Sequence, residues 1–225
     1  THAVIQHSSG LGTKGEPGSL NESLSDIMAH MAATTNGDTG WLQSEDSSAA
    51  TNPTAAKAAA GCQKAIRDLS NPSCSQSWAP NHYSQFIPGG GKIALHENGQ
   101  IHSYAAYLLT EGGQVNGYDM KNGIGATKAN ILYFGMIFAF GLPPNADFMI
   151  ARNLAVSWAD AWATTGFGGF TPTDACIVRN AYAAVGLGTG DDPNCDGIKD
   201  GPPVPGDADK DGVLDSFDNC PQLPN

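Results

Sequence analysis

Near its C-terminus the chain reads DADKDGVLDSFD, a pattern that places carboxylates at the spacing of a loop wrapped around a hard dication. Asp207, Asp209, Asp211, Asp215 and Asp218 fall at loop positions 1, 3, 5, 9 and 12, with Gly212 at 6 and the carbonyl of Val213 at 7. Calcium takes six to eight oxygens at about 2.3–2.6 Å, and a glycine at the sixth position makes the sharp turn that brings them round one centre. A merely solvated acidic tail has no reason to keep that glycine in register, so a bound Ca2+ is expected here. At the other end, His2 precedes Glu22 by twenty residues, with Asn21 and Asp26 close to Glu22. Imidazole nitrogen and carboxylate oxygen together suit a borderline cation such as Zn2+, which in catalytic sites takes three protein ligands and keeps a fourth position open.

Those groups need elements to hold them. From Pro17 to about Thr34, Leu20, Leu24, Ile27, Met28 and Met31 recur at helical intervals, with the proline in the tolerated first turn. Residues 35–80 are polar, interrupted by Pro53 and Pro72, and predict an irregular excursion with one alanine-rich helical turn near Ala55–Ala60. Four further helical patterns follow: QIHSYAAYLLTEGG ending at Gly112 and Gly113, KANILYFGMIFAFGL, NADFMIARNLAVSWADAWATTG capped by Asn145 and stopped by Gly166, and PTDACIVRNAYAAVGLG. The fold class expected is mainly α. Beyond Gly188 the composition turns to glycine, proline and aspartate, which reads as a linker over 188–206, with a separate module over 207–225. PNCDGIKDG is a degenerate echo of the terminal motif.

Charge narrows the partners. With 22 acidic against 11 basic residues the formal net charge is −11, which leaves no footprint for phosphate backbones or anionic lipid, so nucleic acid is not an expected partner. The apolar run Ile131–Leu142 is too short to cross a bilayer. Five cysteines point to an oxidising compartment and thus to a secreted protein.

Several stretches resemble one family. GSLNESLSDI is similar to the third-ligand helix of thermolysin-like neutral metallopeptidases, and NHYSQF with ALHENGQIHSYAAYLL to their catalytic-histidine segment. GIGATKANILY and DACIVRNAYAAVGL are similar to their closing helices, so the resemblance covers roughly residues 1–187 and implies their helical C-terminal lobe. It implies a secreted zinc endopeptidase that cuts peptides on the amino side of bulky apolar residues. THAV at residues 1–4 resembles the end of the His-Glu-x-x-His motif, making His2 and Glu22 zinc ligands; the first histidine and the general-base glutamate would precede Thr1, in an N-terminal lobe. Alone, the chain would then be inactive. By the same resemblance Asn21 orients His2, Asp26 supports the histidine not present here, and His96 stabilises the oxyanion of the tetrahedral intermediate. Arg67 binds the substrate carbonyl, and Ile66 lines the apolar pocket for the residue after the scissile bond.

The pattern departs from the family at three places: Gly91 where an aspartate partner of His96 is expected, Thr13 in place of a tyrosine, and Ala32 and Ala33 where the interior calcium site needs an acid, leaving Glu45 and Asp46. His102 is read as surface or packing. The tail, Asp207 to Pro221, resembles a thrombospondin type 3 repeat, since prolines rather than helices flank it. Cys62 and Cys74 bracket Arg67, Cys176 and Cys195 could join the last helix to the linker, and Cys220 is left over, but sequence does not fix the pairing. A second reading is a calcium-dependent adhesion or matrix-binding protein built on a dead peptidase scaffold.

Overall fold

The structure is a computed structural model that describes residues 2–89, 91–139 and 141–203. Among the described residues seven α-helices carry it: α1 (His2–His7), α2 (Gly15–Thr34), the short α3 (Ala55–Ala59), α4 (Gly91–Glu111), α5 (Gly125–Phe134), α6 (Phe148–Thr165) and α7 (Pro172–Ala184). Alongside them, among the same residues, are two antiparallel ribbons of two residues per strand: β1 (Leu42–Gln43) with β2 (Arg67–Asp68), and β3 (Gln114–Val115) with β4 (Tyr118–Asp119). The mainly α class expected from the periodicities is the one observed. Among the described residues no helix is long and apolar enough to cross a membrane.

The core forms because two stripes coincide. Leu20, Leu24 and Ile27 on α2 and Ile101, Ala105 and Leu108 on α4 recur at i, i+4, i+7 and are all buried to within 1%. Each large aliphatic side chain buried this way contributes roughly 1.5–3 kcal/mol. α4 begins at Gly91, well before the Gln100 expected from sequence. The reason is Gly99, which looks like a helix breaker but lets α4 pack directly on the α2 backbone: a Cβ there would sit 2.9 Å from the Ser19 carbonyl oxygen. The consequence is functional, because the longer helix carries His96 on its frame.

Other boundaries follow local chemistry. α6 is capped by Asp147, whose carboxylate accepts from the Ile150 N–H at 2.7 Å, and not by Asn145, which lies too far ahead of Phe148 to reach it. Gly166, at φ 70°, ends it as expected. Thr171 and Asp174 form a reciprocal capping box at the start of α7. The apolar run after α5 continues as a π-helical turn, Gly135–Ala139.

Of the pairings that sequence leaves open, Cys62–Cys74 and Cys176–Cys195 are formed. Residues 190–195, within the segment expected as a linker, pack on α7. There the buried Asn180 donates from Nδ2 to the carbonyls of Asp192 (2.8 Å) and Pro193 (3.2 Å).

The turn joining α4 to α5 is pinned by glycine. Gly123 has φ +67°, and a Cβ on it would lie 2.1 Å from the Thr110 carbonyl oxygen. Gly123→Ala is therefore expected to cost about 3 kcal/mol, combining left-handed strain with a backbone clash, read as a lower urea midpoint at unchanged slope.

Candidate active site

Three elements converge on one carboxylate. α2 presents Glu22, α4 presents His96 across the close approach at Gly99, and α1 brings His2 alongside. Glu22 Oε2 lies 3.4 Å from His2 Nε2 and 3.2 Å from His96 Nε2. The side chains of His2 and His96 are about half exposed, so the cluster opens to solvent while Glu22 is mostly covered.

His2 is held by its other nitrogen. Nδ1 donates to Asn21 Oδ1 at 2.8 Å and lies 2.9 Å from Ser25 Oγ, while Asn21 is fixed by donating from Nδ2 to the Leu11 carbonyl at 3.3 Å. With the proton on Nδ1, the neutral ring turns the Nε2 lone pair toward Glu22, the tautomer a metal-ligating imidazole requires. Asn21, expected from the resemblance to orient His2, is hydrogen-bonded to its ring. Ser25 was not anticipated, although it lies four residues after Asn21, on the same helical face.

His96 has a partner of a different kind from a carboxylate. Its Nδ1 donates to the Lys92 carbonyl, one turn earlier in α4, at 2.9 Å. That bond fixes the ring and leaves Nε2 facing the cluster, without the negative charge that Gly91 fails to supply.

Asp26 and Arg67 are brought to one another. The guanidinium donates from Nε to Asp26 Oδ2 and from Nη2 to Oδ1, each at 2.6 Å, in a bidentate fork. Burial opposes the Arg67 charge, yet the Asp26 carboxylate, reinforced by Glu22, outweighs it and raises the pKa above the ordinary arginine value. Arg67 is aimed by β2, whose register pairs Gln43 with Arg67, by the Cys62–Cys74 bridge, and by the turn in which Asp68 Oδ1 accepts from the Ser70 and Asn71 N–H groups. Removing the acceptor in Asp26→Ala leaves a largely covered guanidinium unpaired. A loss of about 1–3 kcal/mol in urea unfolding is expected, with Asp26→Asn recovering part of it.

Ile66 and Arg67 line a pocket of about 280 Å³ that His96 closes on one side. Thr13 lies with His2 and Glu22 around a second cavity of about 410 Å³. His102, left open between surface and packing, is wholly buried, with Nδ1 2.8 Å from Ser23 Oγ and Nε2 3.2 Å from the Tyr182 hydroxyl.

His2 Nε2 and Glu22 Oε2 are donors of the types zinc takes, and the Asn21 bond supplies the required tautomer, so the residues present fit two thirds of a catalytic zinc shell. Among the described residues no group of three or more His, Cys, Asp and Glu side chains is arranged to hold a metal alone. Glu45 is half-buried and Asp46 exposed. The expected calcium ligands Asp207, Asp209, Asp211, Val213, Asp215 and Asp218 lie outside the described residues.

Residues 9–187 match the family described as thermolysin metallopeptidase, alpha-helical domain. The chain belongs to that family. This thermolysin-family chain is 35% identical over 191 residues to neutral protease B of Bacillus subtilis, covering 83% of the chain and 31% of that protein. It is 35% identical over 188 residues to bacillolysin of Brevibacillus brevis and 30% identical over 192 residues to thermolysin of Alicyclobacillus acidocaldarius, again covering 83% of the chain, and 32% and 31% of those proteins. It therefore spans about a third of the length of these relatives. The fold is similar to that of the precursor of protealysin, a metalloproteinase from Serratia proteamaculans, with a TM-score of 0.62 at 21% identity over 83% of this chain and 55% of that one.

Proposed function

We propose that this thermolysin-family domain supplies half of the active site of a secreted zinc endopeptidase. The observation that carries the reading is the convergence of His2 and Glu22, 3.4 Å apart, with His2 locked by Asn21 in the ligating tautomer. In this reading the third ligand and the general base come from an N-terminal lobe, completing the set of two histidines and one glutamate by which thermolysin itself holds zinc. A bound zinc polarises the scissile carbonyl and makes water a nucleophile at neutral pH.

The chain's own residues do the rest. His96, steadied through Nδ1 by the Lys92 carbonyl, offers Nε2–H to the oxygen on which charge develops when its ring carries both protons, an interaction strongest in the transition state. Arg67 spends Nε and Nη2 on Asp26, and Nη1, which has no partner among the described residues, donates to the substrate carbonyl. Held on both sides, the guanidinium gives up little rotational freedom when substrate arrives. Two disulfides support an oxidising, extracellular setting, and the aspartate spacing of 207–218 supports calcium there.

The test is to produce the protein joined to its N-terminal lobe and measure bound zinc and casein hydrolysis. One zinc per chain, with hydrolysis lost to a chelator and restored by zinc, is the expected result. Stoichiometric zinc without hydrolysis would favour the dead-scaffold reading. Residues 1–225 alone, with two of three ligands, are expected to hold zinc weakly and hydrolyse nothing.

A further inference from the structure

Ile198 is a large aliphatic side chain that the fold leaves 63% exposed. It lies in residues 196–202, a loop without helix or strand in which every residue but the half-buried Gly201 is exposed. On the near side the chain is fixed as far as Cys195, by the bridge to Cys176 and by the Asn180 hydrogen bonds to the Asp192 and Pro193 carbonyls. On the far side Pro203 approaches the turn between β3 and β4, where a Cβ added to Gly117 would lie 2.5 Å from the Pro203 Cβ.

Between these anchors the contacts are local. The Asp192 carboxylate accepts from the Asp196 and Gly197 N–H groups at 3.2 and 2.9 Å, and Asp196 Oδ1 accepts from the Ile198 N–H at 2.8 Å. Gly201 N–H donates to the Asp191 carbonyl at 3.0 Å, and Lys199 pairs with Asp191 at 2.7 Å between exposed side chains. Bonds this close to water open readily, and exposed loops of this kind are where proteolytic nicking concentrates.

The other large apolar side chains exposed among the described residues are held differently. Ile93, Phe134 and Ile150 stand on helices, and Phe138 stands in the π-helical turn. Phe167 lies in a turn closed by the Gly169 N–H on the Gly166 carbonyl at 3.1 Å, with its ring against Trp162. Trp78 has buried Ser75 and Ala79 close on either side. Ile198 instead joins exposure to a run of exposed, irregular neighbours that can be drawn out as an extended strand.

We infer that the Gly197–Ile198 bond is a processing site, cut by another copy of the active protein, which detaches residues 198–225 from the helical domain. The inference rests on the endopeptidase reading, with Ile198 as the bulky apolar residue after the cut. The pocket of about 280 Å³ beside Arg67 and His96, which Ile66 and Ile93 help to line, has room for that side chain. This loop lines neither that pocket nor the cavity at His2 and Glu22, and with both ends anchored it is offered to a second molecule. Water adds across the amide: its oxygen bonds to the Gly197 carbonyl carbon, the C–N bond breaks, and Ile198 leaves with the proton on its nitrogen. The two bridges use four of the five cysteines, so Cys220 has no further cysteine within the chain to tie it to the domain. One cut therefore releases the aspartate-rich tail, while both bridges stay with the domain.

Two arms separate this inference from the reading beneath it. In the first, residues 1–225 in calcium-containing buffer are treated with a trace of thermolysin, and the products are read by intact mass and N-terminal sequencing. The first cut is expected before Ile198, giving 1–197 and 198–225. Ile198→Asp should slow it at least about tenfold, and Ile198→Phe should leave it within about threefold. An earlier cut at another bond, or undiminished cutting of Ile198→Asp at this one, would overturn the inference. In the second arm, the zinc-loaded protein joined to its N-terminal lobe is expected to release 198–225 at a rate per molecule that rises with its concentration. The joined Glu22→Ala protein should stay intact until active protein is added, and Ile198→Asp should keep its tail while hydrolysing casein normally. Casein hydrolysis with the parent's tail retained, or release independent of concentration, overturns cleavage by a second copy. If thermolysin cuts before Ile198 while the joined protein hydrolyses neither casein nor its own tail, the endopeptidase reading fails and the loop stands as a site for a separate peptidase.

Discussion

Glu22→Ala is expected to remove zinc from the complete protein and to lower peptide hydrolysis by at least about a thousandfold. The carboxylate is the only acceptor that both His2 and His96 reach among the described residues, at 3.4 and 3.2 Å through the same oxygen. Truncation therefore does two things at once: it deletes the proposed ligand, and it removes the carboxylate that the Nε2 atoms of both imidazoles approach. The fold should persist, because Leu20, Leu24 and Ile27 hold the buried face of α2 and Glu22 is not part of the core. Glu22→Gln separates the two effects, since its amide keeps the shape while giving up the charge and the preferred ligand oxygen. Zinc content by atomic absorption and kcat/KM should fall together in both variants, with unfolding midpoints close to that of the parent. Full zinc occupancy in Glu22→Ala would show that the metal is held elsewhere.

The centre was legible in sequence where it depends on one helix and one spacing. Glu22 and Asn21 fall on a strongly periodic segment, so their relation could be read before any coordinates. His96 falls outside the helix that the periodicity predicts from Gln100, because Gly99, which lets α4 pack on α2, carries the local signature of a break. The Arg67–Asp26 fork joins segments forty-one residues apart through a two-residue ribbon and a disulfide loop, and no local pattern encodes it. Asn180 shows the converse case: 190–195 reads as linker by composition, yet one buried amide and one disulfide tie it to α7.

His102 is expected to make the stability of the domain fall in acid. It is completely buried between Phe148, whose ring stacks at 5.9 Å, and the tyrosines Tyr133 and Tyr182, and its nitrogens face only hydroxyls, those of Ser23 and Tyr182. No carboxylate reaches it among the described residues, so nothing offsets the cost of charging the ring, and burial pushes its pKa down to about 3. In the unfolded chain the imidazole titrates near 6.5. Between those values the unfolded state binds the extra proton, so stability rises with pH: it is intact above about pH 6.5 and falls as acid is added, by up to about 1.4 kcal/mol per pH unit. At pH 4.5 this residue alone should cost about 2–3 kcal/mol relative to pH 7.5, rising toward about 5 kcal/mol near pH 3. His30, also lowered by burial, adds in the same direction. The discriminating variant is His102→Gln, which keeps an amide near the hydroxyl partners and removes the titrating group. It will be less stable at pH 7.5, as any change in a close-packed site is, but its loss between pH 7.5 and 4.5, measured by urea unfolding of metal-free protein, should be smaller than the parent's by about 2 kcal/mol. Parallel pH profiles for the two proteins would mean that the acid sensitivity arises from other groups.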